Sequence, residues 1–173
     1  MRSVVAGFVS GVLATVVLGS AAVYLYVKAG YVPVATSAAP LPFEKALARM
    51  ALHARMEREL PKDVPVPLNE ANLLGGARVY VEHCAVCHGL PGSRETAIAE
   101  GLFPKPPHLF RGKGVTDDPA AESYWKVANG IRLTGMPGFE KSLTVDQIWQ
   151  VALLVANADK LPESVKALLT PAP

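Results

Sequence analysis

The residues best placed to do chemistry stand together in one segment, Cys84-Ala85-Val86-Cys87-His88. These are the only two cysteines in the chain. Two thiols separated by two residues at a helix end can both reach the vinyl groups of one porphyrin and form thioethers. The adjacent histidine is then delivered under the iron as a neutral imidazole. This is the c-type haem attachment signal. Three other uses compete with it. A thioredoxin-like redox pair wants a strand before the first cysteine and a βαβ setting, and the sequence has neither. A zinc site needs further ligands; His83 and His108 could be conscripted, but there is no second C-x-x-C. Coincidence in a cysteine-poor chain is the third. A neighbouring pair also cannot be the disulfide framework of a secreted domain. Haem is the reading that the spacing favours.

The second axial ligand has to come from what remains. Beyond Met1 the methionines are Met50, Met56 and Met136. Met50 and Met56 fall within a helical stretch, where filling apolar gaps is their ordinary work. Met136 lies in Thr134-Gly135-Met136-Pro137-Gly138, a frame that keeps it out of any helix and fixes its approach. It is the favoured ligand. Of the other histidines, His53 is remote from the attachment segment and His83, beside the covalent anchor, is expected to face solvent. His108, in Pro106-Pro107-His108-Leu109, is the serious rival.

The elements that must position these groups read as short helices joined by Gly/Pro loops. Ala71 to His83 is helical and leads into the cysteines. Ser93 as N-cap and Gly101 as stop bracket a short helix. Asp118 as N-cap, Pro119 at the first position and Gly130 beyond the end bracket another at 119–129. Thr144 and Gln147 form a capping box. It opens a helix with apolar Val145, Ile148, Trp149, Ala152, Val155 and Ala156 at a period near 3.6. Pro162 starts a last short helix. No segment alternates like a strand, so residues 69–173 read as an all-α domain. Its side-chain core alone would be thin, and a large apolar cofactor would complete it.

Two segments precede that domain. The first, 1–30, holds 24 uncharged residues from Val4 to Val27, and Tyr24, Tyr26 and Tyr31 cluster about its far end. That is about 36 Å of helix, enough to cross a hydrocarbon core of about 30 Å, with aromatic rings at the interface. A cleaved signal peptide, with small residues at 35–38 as its cleavage site, is the alternative; the apolar run is long for one. Either way the chain is exported. Residues 31–68 form a Pro-punctuated tether containing one helix, about 43–60. That helix either lies on the main domain or offers a docking surface to a membrane partner, and the first reading is favoured. Arg2 and Lys28 are the only charges in residues 1–30, and the remaining 143 residues carry 15 basic and 15 acidic groups. A balanced chain of this kind argues against nucleic-acid binding.

Taken in order, Gly76 to Tyr80, Cys84 to Gly89, Pro107-His108-Leu109, Tyr124-Trp125, Gly130-Ile131, Thr134 to Pro137 and Ile148-Trp149 resemble class I cytochromes c. The likeness is strongest to single-haem, membrane-anchored bacterial members and to cytochrome modules of terminal oxidases. It covers about residues 70–158 and leaves the tether helix out. It implies the class I fold around one covalent haem c held by Cys84 and Cys87, with His88 and Met136 on the iron. It further implies that Pro107, or its neighbour Pro106, accepts a hydrogen bond from the other nitrogen of His88. Leu109 completes that segment beside the haem. Gly76 and Tyr80 would face the helix carrying Trp149. One departure stands out: residues 69–173 carry 10 basic and 11 acidic side chains. Docking through a lysine ring, as in soluble mitochondrial members, is therefore not expected.

With both axial positions filled, the iron is expected to have no site for a small-molecule substrate. The expected role is that of an electron carrier, not an enzyme. It would serve membrane redox complexes or other cytochromes from the periplasmic side of a bacterial cytoplasmic membrane, held to the lipid by the N-terminal helix. The alternative is a haem subunit of a terminal oxidase or periplasmic dehydrogenase.

Overall fold

The computed structural model describes residues 2–112, 116 and 118–170. Among these residues all regular structure is helical. The chain divides into two units, Met1–Pro42 and Phe43–Pro173.

The first unit holds helix α1, Arg2–Lys28, which has no buried residue and is, among the described residues, the one helix apolar and long enough to cross a membrane. At its end the Tyr26 hydroxyl donates to the Tyr31 carbonyl at 3.2 Å. The Lys28 ammonium lies 5.9 Å from the centre of the Tyr24 ring.

The second unit begins with α2, Glu44–Glu59, followed by α3, Glu70–Val79. A π-helical turn, Tyr80–Cys84, joins α3 to one turn of α-helix, α4, Ala85–His88. Then come α5 (Ala97–Gly101), α6 (Ala120–Asn129), α7 (Val145–Ala156) and α8 (Glu163–Leu169). The core lies where α3 crosses α7 and α6 packs on α7, with Tyr80, Ile148, Val151, Leu154, Val165 and Leu169 almost fully enclosed. Gly76 makes the crossing possible: a Cβ there would stand 2.2 Å from the Gln150 carbonyl oxygen. Tyr124 stacks on Trp149 at 4.1 Å, which ties α6 to α7.

Several helix ends differ from the pattern in the sequence. The helix expected from Ser93 starts only at Ala97, capped by Thr96, whose hydroxyl accepts from the Ala99 amide at 3.1 Å. Ser93 instead closes a turn on Leu90, bonding both its amide and its carbonyl. Pro119 takes the capping position of α6, and the Asp118 carboxylate turns to Lys126 rather than to a backbone amide. The capping box of Thr144 and Gln147 is present.

Helix α2 packs with the second unit. Met56 is buried, the Trp125 indole donates to the Glu59 carboxylate at 3.1 Å, and the Lys45 ammonium lies 5.6 Å from the centre of the Phe103 ring.

Candidate haem site

The attachment segment is built on the end of α3. Asn69 caps that helix, its side chain accepting from the Asn72 amide at 2.9 Å. Past Val79 the helix widens into the π turn, the kind of single-turn insertion often found at functional sites. The Tyr80 hydroxyl, buried in the core, donates to the Gly89 carbonyl at 2.7 Å and so ties the exit of the segment to its entrance. Burial, with Cys84 close by, raises the Tyr80 phenol far above its ordinary range, so it stays a donor. Burial, reinforced by the neighbouring Cys87, pushes the Cys84 thiol up to about 12. Both cysteines are free thiols.

His88 has its tautomer fixed by geometry. Its Nδ1 lies 2.8 Å from the Pro107 carbonyl oxygen. A carbonyl can only accept, so Nδ1 carries the proton and Nε2 is left with a lone pair for a metal. Burial lowers the His88 pKa, outweighing the upward pull of the Pro107 bond. The imidazole is held in the neutral form that ligation needs.

These groups open into one apolar cleft of about 820 Å³ including its mouth. Cys84, Cys87, His88, Pro107, Leu109 and Met136 all line it. Pro106 lines it too, but the bond from His88 goes to Pro107. Met136 is carried on a closed loop. The Ile131 amide donates to the Met136 carbonyl at 3.1 Å, and the Thr134 hydroxyl donates to the Ile131 carbonyl and accepts from the Met136 amide.

The rival ligand is placed elsewhere. His108 is not part of the lining. Its ring packs behind Gly89, where an added Cβ would meet it at 2.6 Å, and its Nδ1 accepts from the Phe110 amide at 3.2 Å. His83 corrects an expectation: it lines the cleft, partly exposed, with its ring 5.7 Å from that of Phe139, instead of facing solvent. His83 lies within the π turn, Tyr80–Cys84. His53 is exposed on α2. The lining also includes Val127, Ile131, Phe139, Val151 and Val155, which the sequence did not single out as site residues. For α6 and α7 the available signal was helical periodicity. Val151 and Val155 lie one turn apart on α7, and that spacing could have marked a second apolar row.

The family described as cytochrome c oxidase, cbb3-type, subunit III matches residues 71–155. That range holds the attachment segment, the Pro107 segment and the Met136 loop. Residues 71–155 are a cytochrome c domain. Its cofactor is covalently bound haem c with its iron. The residues present fit that group: two unpaired thiols, one imidazole with a free Nε2 and an apolar cleft of a size that takes a large cofactor. Among solved structures, a chain of a reducing HAO-like protein complex of Kuenenia stuttgartiensis is 27% identical, with a TM-score of 0.46. The likeness covers 56% of this chain and 48% of that one, so the cytochrome spans about half of its neighbour's length. No curated protein matches the chain.

Proposed function

We propose that this cytochrome is a membrane-anchored carrier of single electrons, held by α1 in a bacterial cytoplasmic membrane with its haem domain on the periplasmic side. Cys84 and Cys87 would hold the haem through their sulfurs, and His88 and Met136 would serve as ligands to its iron. The observation that carries this reading is the shared lining of one apolar cleft by all four side chains, with His88 Nδ1–H already engaged by Pro107. Bound haem supplies a one-electron ferric/ferrous couple. The chain's own residues tune and steady it. The soft thioether of Met136 and the apolar lining favour the less charged ferrous form. Pro107 holds the His88 ring in one orientation, and Thr134 holds the Met136 loop, so little has to rearrange when the charge changes. With His88 and Met136 both serving as iron ligands, the haem would carry electrons rather than bind a small-molecule substrate.

The partners are membrane redox complexes or other cytochromes. Leu133 is 93% exposed at the tip of the loop that carries Met136, which supports an apolar contact there in place of a ring of lysines. The match to an oxidase-subunit family favours a second reading, a haem subunit of a terminal oxidase or of a periplasmic dehydrogenase. Purification in mild detergent separates the two: a stoichiometric partner supports the subunit, and a chain that isolates alone and still exchanges electrons with membranes supports the carrier. Covalent attachment is checked by extraction with acidified solvent, after which the haem should remain on the polypeptide. Haem in the organic phase would overturn the thioether assignment.

A further inference from the structure

Helix α2 is apolar on two opposite sides, and only one of them is used inside the molecule. On one side Met56 is buried, 2% exposed, and Leu52 and Leu60, one turn to either side of it, are partly buried. At spacings of four, three and four, Phe43, Leu47, Met50 and Ala54 form a row on the other side. Phe43 is 85%, Leu47 60% and Met50 63% exposed. Phe43 also sits in the left-handed region, at φ 64°, which a bulky side chain seldom adopts. An exposed aromatic held in an unfavourable backbone conformation points to a contact made outside the unit.

We infer that this outer row lies on the lipid bilayer, so that α2 rests the haem domain on the membrane surface instead of leaving it to swing on a tether. Three observations select lipid. The first is reach. Between Lys28 and Phe43 there are 14 residues. Fully extended they span at most about 48 Å, and as a flexible chain they average about 20 Å. The row therefore stays at high effective concentration near the bilayer in every anchored copy. The second is extent. From Phe43 to Ala54 the row is about 17 Å long, less than two heptads, which is too short to pair two copies as a coiled coil. The third is composition. Helix α2 carries four basic and three acidic residues. Of the acidic ones, Glu59 is engaged by Arg55 at 2.5 Å and by Trp125. A short helix that exposes Leu47 and Met50 on one side and carries more basic than acidic residues suits the headgroup region.

The inference rests on the reading of α1 as an anchor, and the experiment separates the two. Full-length holoprotein is placed in vesicles of phosphatidylcholine and phosphatidylglycerol. Spin labels are introduced one at a time at Leu47→Cys, Met50→Cys, Ala48→Cys and, on α1, Val16→Cys, each variant being used only if its haem spectrum is unchanged. All four positions are exposed, so labels there leave the core intact. Labels at 47 and 50 should be reached by oxygen in preference to a water-soluble nickel chelate, with a ratio several-fold above that at 48. Equal chelate access at 47, 48 and 50, with 16 in lipid, would overturn the docked helix and leave the anchor standing. Chelate access at 16 as well would overturn the anchor itself. Labels at 47 and 50 shielded from both probes would show a protein partner on the row, and would equally overturn the lipid assignment.

Discussion

The attachment segment and the methionine loop meet in one cleft but are specified in different ways. At 84–88 the chemistry is local: five consecutive residues on a helical turn carry both thiols and the imidazole, and one distant carbonyl, that of Pro107, orients the ring. At 130–138 nothing local has that content. Met136 is a single residue whose position depends on backbone contacts that no side chain could share. A Cβ on Gly138 would stand 2.7 Å from the Asn129 carbonyl oxygen, and one on Gly130, already at φ 67°, would stand 2.5 Å from the Gly138 amide nitrogen. The first half of the site is written in residue types, and the second is written in space left empty.

Substitutions should break the two halves differently. The largest effect is expected from replacing Cys84 and Cys87 together by serine, which should abolish covalent haem; gel electrophoresis with haem-peroxidase staining would show its loss. Next is Gly138→Val. The new side chain meets backbone at the end of α6, Ala128 and Asn129, and cannot be relieved by a rotamer change. The domain should lose roughly 3 kcal/mol or more, read by denaturant unfolding, and should lose methionine ligation with it. Thr134→Val removes one hydroxyl that makes two bonds within the Met136 loop. It should cost about 1–2 kcal/mol and loosen Met136, seen as faster binding of added imidazole by the ferric protein, with haem still attached. The smallest effect is expected from Glu59→Gln, which is not part of the cleft lining. It weakens the bond from Trp125 at a partly exposed site and should cost under about 1 kcal/mol while leaving the reduction potential unchanged.

The same contrast explains what could be read in the sequence. Cys84, Cys87 and His88 were legible because their spacing is itself the signal. Met136 was legible only as a residue in a Gly/Pro frame with His108 as a rival, since nothing in a loop sequence says which side chain turns into a cleft. What separates them is tertiary: His108 packs behind Gly89, and Met136 lines the cleft. The all-α character followed from caps and periodicity. The start of α5 did not, because Ser93 and Thr96 are both good caps and Ser93 was used for a turn on Leu90. Nor did the π turn, whose extra residue no propensity records, or the place of His83, which lies in that turn and lines the cleft.

The most direct test of the account is the ferric absorption spectrum of the full-length cytochrome beside that of Met136→Ala. A thioether on ferric haem gives a weak sulfur-to-iron charge-transfer band. The native protein should show that band, and the variant should lose it, bind added imidazole rapidly and shift to a lower reduction potential. A band and a potential that survive the substitution would contradict Met136 as the axial ligand, and with it the assignment of the cleft as a closed His/Met site for single electrons.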